Sequence, residues 1–147
     1  MFRNILVPTD GSPLSLRAIH RAVQLAKEQK ARVTGFYVGP VWQPNVYADS
    51  VPTDFISPAQ HNAAVKKAAE RHLRVVKKAA AEAKVPCKCL SSIGNHPYEK
   101  IIGAAQRNGC DLIVMASHGR RGISRLLLGS ETSKVLAHSK VPVMVVR

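Results

Sequence analysis

Short apolar runs alternate along the chain with longer stretches whose apolar residues recur every three or four positions. Residues 2–7, 31–38 and 112–115 are rich in Val, Ile and Leu, and each predicts a buried strand. Residues 87–93 are more polar and predict a strand at a sheet edge. The last strand covers 141–146, opening at Val141 and closing at Val146, with Pro142 indicating an edge or a strand start. Between the runs lie four helical patterns. Leu16, Ile19, Val23 and Ala26 make one face of a helix over 13–29. Val65, Ala69, Leu73, Val76 and Ala80 do so over about 58–83. Tyr98, Ile101, Ile102 and Ala105 face inward on a third, and residues 130–138 form the fourth.

The punctuation agrees with these periods. Asp10-Gly11 signals a turn, Ser12 a helix cap, and Pro13 suits a first helical position. Asn108-Gly109 ends the third helix. Residues 39–56 carry Pro40, Pro44 and Pro52 and no period; they predict a long loop, of the kind that often serves as a lid or binding loop. Strand and helix alternate about five times, which means an α/β fold with a parallel sheet and helices on both faces. Ligands of such sheets bind beyond the carboxyl ends of the strands, at the topological switch point. In a flavodoxin-like order, 3-2-1-4-5, the loops after strands one and four share one crevice, which brings Asp10 near the glycines of the later loop. That later stretch passes from an apolar run through Gly119 and a basic loop to Gly129-Ser130, with Ser130 a candidate helix cap. Glycine loop followed by helix start is how a chain builds an anion site; it is equally how a plain strand-to-helix connection is made.

Composition narrows the function without choosing it. A length of 147 residues predicts one domain over 1–147. No apolar run approaches a membrane span, and the start is too short and strand-like for a signal peptide, so a cytoplasmic location is expected. Three cysteines fit a reducing compartment; Cys87 and Cys89 share one strand face, form neither a CxxC nor a zinc set, and read as buried or half-buried free thiols. The net charge of +13 favours polyanion partners. A helical stripe of Lys67, Arg71, Arg74 and Lys78 reads first as a solvated face and second as such a surface. Gly119-Arg-Arg-Gly122 is a basic GxxG, the loop type that clamps nucleic-acid backbone in KH domains, but it follows a strand where a KH loop joins two helices. Only 5% of residues are aromatic, which leaves no stacking platform. No P-loop, catalytic triad, carboxylate pair or metal cluster stands out. His118 can be named a general base, though a loop histidine or a phosphate contact suits it better. A nucleotide-binding module with little or no catalysis leads; a nucleic-acid binder and a slow ATP hydrolase or nucleotidyl transferase are the alternatives.

The chain resembles the universal stress protein family over nearly its whole length. The carriers are Ile5-Leu-Val-Pro8-Thr-Asp10-Gly-Ser12, then Ser117-His118-Gly119 followed by Leu126-Leu-Leu-Gly129-Ser130, and the closing Val141-Pro142-Val143-Met-Val-Val146. The ATP-binding branch of that family is described by G-x2-G-x9-G-[ST]. Here Gly119, nine residues and Gly129-Ser130 fit, while Ala116 stands at the first glycine. The resemblance implies a five-stranded α/β sandwich and a homodimer paired through the last strand. It implies an adenine-nucleotide pocket for ATP, with any Mg²⁺ riding on the phosphates. Pro8, Thr9 and Asp10 would form one side, with Asp10 on the ribose hydroxyls. Val38 would offer backbone hydrogen bonds to adenine. Met115 and Ala116 would line the pocket, and Gly119, Gly129, Ser130 and Glu131 would meet phosphate through N–H and hydroxyl groups, the Glu131 side chain facing away.

Overall fold

In the computed structural model, which describes residues 1–44, 56–119 and 128–147, five parallel strands form one sheet. The elements in chain order are β1 (Asn4–Pro8), α1 (Pro13–Gln29), β2 (Arg32–Gly39), α2 (Pro58–Glu82), β3 (Cys87–Ile93), α3 (Pro97–Arg107), β4 (Leu112–Ala116), α4 (Ser130–His138) and β5 (Val143–Val146). The strand order is β3-β2-β1-β4-β5, so the order reverses between β1 and β4 and the polar β3 is an edge, as its composition predicts. Pro142 sits just outside β5, where its carbonyl accepts from the Ile113 N–H and its missing donor costs nothing.

Two apolar layers follow from the strand alternation. Ile5, Val7, Leu112 and Val114 face α1 and α2, while Leu6, Ile113 and Met115 face α3 and α4. Helix α2 buries all five of its predicted apolar positions and also His72, whose ring lies 5.3 Å from Tyr37. The predicted stripe of Lys67, Arg71, Arg74 and Lys78 is exposed. Helix α1 departs from prediction at its start: Leu16 is 40% exposed and Ser15 is buried in its stead, because Ser15 is needed to hold the turn before the helix. Tyr98 and Ile102 of α3 are half-buried, with Ile101, Ala104 and Ala105 taking the interior. At the far end of the sheet the Asp111 carboxylate accepts from the N–H groups of Arg3 and Asn4, and Asn4 joins Asn108 and Thr34, fixing β1 between its neighbours.

The loop after β2 is tied at its described ends: the Trp42 indole donates to the Ile56 carbonyl and His61 meets the Pro40 carbonyl at 2.8 Å. Residues 45–55 of that predicted loop lie outside the described residues, as do 120–127, which include the Arg120-Arg121-Gly122 part of the GxxG and Leu126-Leu127. Among the described residues no helix is long and apolar enough to cross a membrane.

Candidate functional site

The crevice at the switch point is built from the ends of β1, β2 and β4 and the start of α4. At the end of β1, Thr9 is buried and fully used: its N–H donates to the Phe36 carbonyl, and its hydroxyl lies 3.1 Å from the Ser15 hydroxyl and accepts from the Gly11 N–H. Thr9 therefore shapes the turn. Pro8, half-buried, closes the strand opposite Phe36. Asp10 follows, with Oδ1 accepting from the Ser12 N–H at 2.9 Å, and Gly11 takes φ 77°, the left-handed turn position that favours glycine. Ser12 then caps α1 by accepting from the Ser15 N–H, as predicted. The other carboxylate oxygen of Asp10 faces Gly119 so closely that a Cβ there would collide with it. The loops after β1 and β4 thus meet, with the Asp10 carboxylate in the space where a side chain at position 119 would stand.

Val38 lies near the end of β2. Along this strand Val33 bonds toward β3 and Gly39 accepts from Gly94, while Arg32 and Phe36 bond toward β1. That parity turns the N–H and C=O of Val38 to the β1 side, beyond the point where β1 has ended.

At the end of β4 the side chains of Met115 and Ala116 go to opposite layers, Met115 with the α3–α4 core and Ala116 with the α1–α2 core. Ala116 is 9% exposed. Its methyl packs inward among buried neighbours, so the departure from the first glycine of the motif leaves backbone, and not a side chain, along the crevice. Its carbonyl accepts from the Thr132 hydroxyl at 2.8 Å, which pins the first turn of α4 to β4. Sequence reasoning missed Thr132; a hydroxyl three positions after Gly129 is the signal that could have found it.

Among the described residues, the Gly129 N–H donates to the Ser117 carbonyl at 2.7 Å and joins the two ends of the glycine loop. The Ser117 N–H in turn donates to Val146 of β5. His118 is half-buried, with Nδ1 3.1 Å from the Ser117 hydroxyl. Gly129 itself is the cap of α4, and Ser130, predicted as the cap, is the first helical residue. Space favours glycine here: a Cβ on residue 129 would stand 3.0 Å from His118 Cα, a contact that only a shift of the neighbouring backbone relieves.

Glu131 occupies the second position of α4, but its carboxylate turns away from the crevice. It accepts from the Tyr98 N–H at 2.8 Å, in the first turn of α3, and lies 3.5 Å from the Lys134 ammonium. The cap residue of α3, His96, supplies no side-chain hydrogen bond, and Glu131 does that work from the neighbouring helix. The Tyr98 hydroxyl donates to Glu99, and this bond holds its phenol pKa above the usual value.

Among the described residues no side chain caps α4. The first N–H groups of a helix have no partner within it, and they carry the positive end of its dipole. Here they emerge at the carboxyl end of the sheet between Asp10, Gly119 and the open edge of β2. Among the described residues no group of three or more His, Cys, Asp or Glu side chains could hold a metal ion.

A parallel sheet with order 3-2-1-4-5 flanked by helices defines an α/β class whose topological switch point lies between β1 and β4, and α4 starts on a glycine there. The chain belongs to the universal stress protein family, whose model matches residues 1–147. It is 36% identical over 153 aligned positions to universal stress protein YxiE of Bacillus subtilis, covering 100% of both chains. The structure of hypothetical protein MJ0577 is similar with TM-score 0.77 and 27% identity, over 99% of this chain and 96% of that one. MJ0577 is a universal stress protein of Methanocaldococcus jannaschii. A universal stress protein solved in complex with cAMP is similar with TM-score 0.72 and 27% identity, over 99% and 97%.

Proposed function

We propose that this chain is an adenine-nucleotide-binding module of stress response or signalling, that ATP is its ligand with or without Mg²⁺, and that it performs little or no catalysis. One observation carries the reading. Among the described helices α4 alone starts on a glycine with no side-chain cap, and it does so at the switch point, facing the Asp10 turn. The similar structure in complex with cAMP supports the ligand class. In this reading the N–H groups of Ser130 and Glu131, with the Ser130 hydroxyl and the Gly119 backbone, receive the phosphates, while the Gly129 N–H, expected from the motif to join them, stays on the Ser117 carbonyl. Asp10 accepts from the ribose hydroxyls, Val38 reads the adenine edge through its N–H and C=O, and Pro8, Thr9, Met115 and Ala116 shape the walls. Mg²⁺, when present, rides on the phosphates. The chain acts as a homodimer in which β5 pairs with its copy, because an edge strand with open backbone groups invites a partner.

Isothermal titration with ATP tests the pocket. Asp10→Ala is expected to lose about 1.5–3 kcal/mol, roughly ten- to hundredfold in affinity. Asp10→Asn, which keeps an acceptor for the Ser12 N–H, separates the ribose contact from the turn. Absence of heat at millimolar ATP, in wild type and in Ala116→Gly alike, overturns the reading.

A further inference from the structure

Cys87 and Cys89 sit on the α2 side of edge strand β3, far in sequence from the crevice residues. Their sulfurs are 3.9 Å apart. Cys87 is exposed, contrary to its sequence reading; Cys89 is half-buried, its sulfur 3.8 Å from the Leu73 carbonyl. Residues two apart on a strand have Cα atoms about 6.4–6.8 Å apart. This is the upper end of the roughly 4.4–6.8 Å that disulfides span. A disulfide also brings its Cβ atoms within roughly 3.5–4.5 Å, so a bond between them requires this strand, paired on one side only, to pucker locally by about 2 Å. Disulfides formed near that limit are strained and readily reduced.

We propose that Cys87 and Cys89 form a reversible thiol-oxidation site, in which a hydroperoxide oxidises the exposed Cys87 and Cys89 resolves it to an intrastrand disulfide. The Cys87 thiolate attacks the terminal peroxide oxygen and the O–O bond breaks, leaving Cys87 as sulfenic acid; the departing hydroxide or alkoxide takes a proton from solvent, matching the one Cys87 released on ionising, and leaves as water or an alcohol. The Cys89 sulfur then attacks the Cys87 sulfur. The S–O bond breaks, and the departing hydroxide takes the Cys89 proton to leave as water. Two thiols lose two electrons and one peroxide gains them.

The surroundings divide the two roles. Facing the Cys87 sulfur are the Cys89 thiol on its own strand, the Lys77 ammonium from α2 and the Gly35 backbone from β2. The hydrogen bond from Cys89, opposed by burial and helped by Lys77, lowers the Cys87 pKa to about 7. Cys89 shifts the other way, through the same bond and through burial, and keeps its proton until it attacks. Cys110 is buried with its pKa raised by desolvation, so it serves as an internal control.

The full-length, reduced protein is treated with hydrogen peroxide, alkylated with N-ethylmaleimide in denaturant and weighed intact. One adduct is expected, on Cys110, where untreated protein carries three, and dithiothreitol restores all three. The rate rises with pH and levels off above about 7, as Cys87 ionises. Cys89→Ser stops at a sulfenic acid that dimedone traps, and Cys87→Ser keeps both remaining thiols. Lys77→Gln slows the reaction and moves its midpoint to higher pH, a readout that a folding defect does not produce. Three adducts throughout, oxidation of Cys87→Ser at the wild-type rate, or a disulfide only between two molecules overturns the proposal.

Discussion

Gly129 holds the narrowest passage of the site, and Gly129→Ala tests what that passage does. Its torsions, φ −62° and ψ 154°, are extended and suit alanine, so glycine is not there for conformational freedom. It is there for room. The new methyl would stand 3.0 Å from His118 Cα, 3.2 Å from His118 Cβ and 3.3 Å from the Ser117 carbonyl oxygen. Two of these three neighbours are backbone atoms, and no rotamer change relieves them. Forcing one extra methyl into such a contact costs about 1–3 kcal/mol. At roughly 2–4 °C per kcal/mol for a chain of this size, the melting temperature falls by about 2–12 °C. The easiest relief lengthens the bond from the Gly129 N–H to the Ser117 carbonyl and turns the start of α4 away from Asp10. ATP affinity then falls by about tenfold or more, the loss of one hydrogen bond to a charged group. Differential scanning fluorimetry reads the first effect and isothermal titration the second. An unchanged melting temperature refutes the close approach; a lowered one with full ATP affinity refutes the placement of phosphate on α4.

The other expectations are brief. Ala116→Gly removes a methyl from the α1–α2 core and lowers stability by about 1 kcal/mol, while ATP affinity stays within about twofold; a large gain in affinity would mean that the methyl faces the ligand. Glu131→Ala uncaps the Tyr98 N–H and lowers stability by about 1 kcal/mol in a chemical melt, the carboxylate being partly exposed, and a fall in ATP affinity of tenfold or more would contradict its turn away from the crevice. Truncation after Lys140 deletes β5 and, in sedimentation velocity, gives monomer or aggregate; a full-length chain that sediments as a stable monomer at micromolar concentration removes the dimer. Duplex DNA and RNA bind weakly with a steep loss on adding salt, and tight sequence-dependent binding that persists at physiological salt would return the +13 charge to a nucleic-acid role.

The fold was legible because strand and helix periods are sharp in this chain and because turn residues mark their ends. Every strand and helix falls within two residues of its predicted limits, and β3 reads as an edge from its polarity. The site was legible in part. The pairing of Asp10 with the glycine loop follows from strand order alone, since β1 and β4 are neighbours. What a period cannot carry is the choice between two adjacent residues at an element's end. Leu16 fits the apolar face of α1 better than Ser15, yet Ser15 is buried to meet Thr9. Ser130 is chemically the better cap, yet steric room makes Gly129 the cap. Cys87 shares a face with Cys89, yet it is exposed where Cys89 is half-buried, a difference that a period of two does not carry. Each of the first two is decided by a contact outside the residue's own element.

The acid beside the proposed anion site is the point at which local chemistry and function would conflict. A carboxylate in the first turn of a helix normally settles on that helix's own N-terminus and would compete there with phosphate. The chain resolves this through the other three helix starts. Ser12 caps α1, and Ser57 with Gln60 forms a capping box on α2. His96 leaves α3 without a cap of its own, which creates a vacancy for an acceptor within reach of α4. Glu131 fills it, so its negative charge is spent on the Tyr98 N–H and on Lys134, and the two helices are joined by the same bond. A better cap at position 96, such as His96→Asp, would compete for that N–H and free Glu131 to swing back toward its own helix. Phosphate affinity would then fall through a residue that never touches the ligand, and the double variant His96→Asp with Glu131→Gln would recover it. An additive loss in the double variant would show instead that position 96 acts on α3 alone.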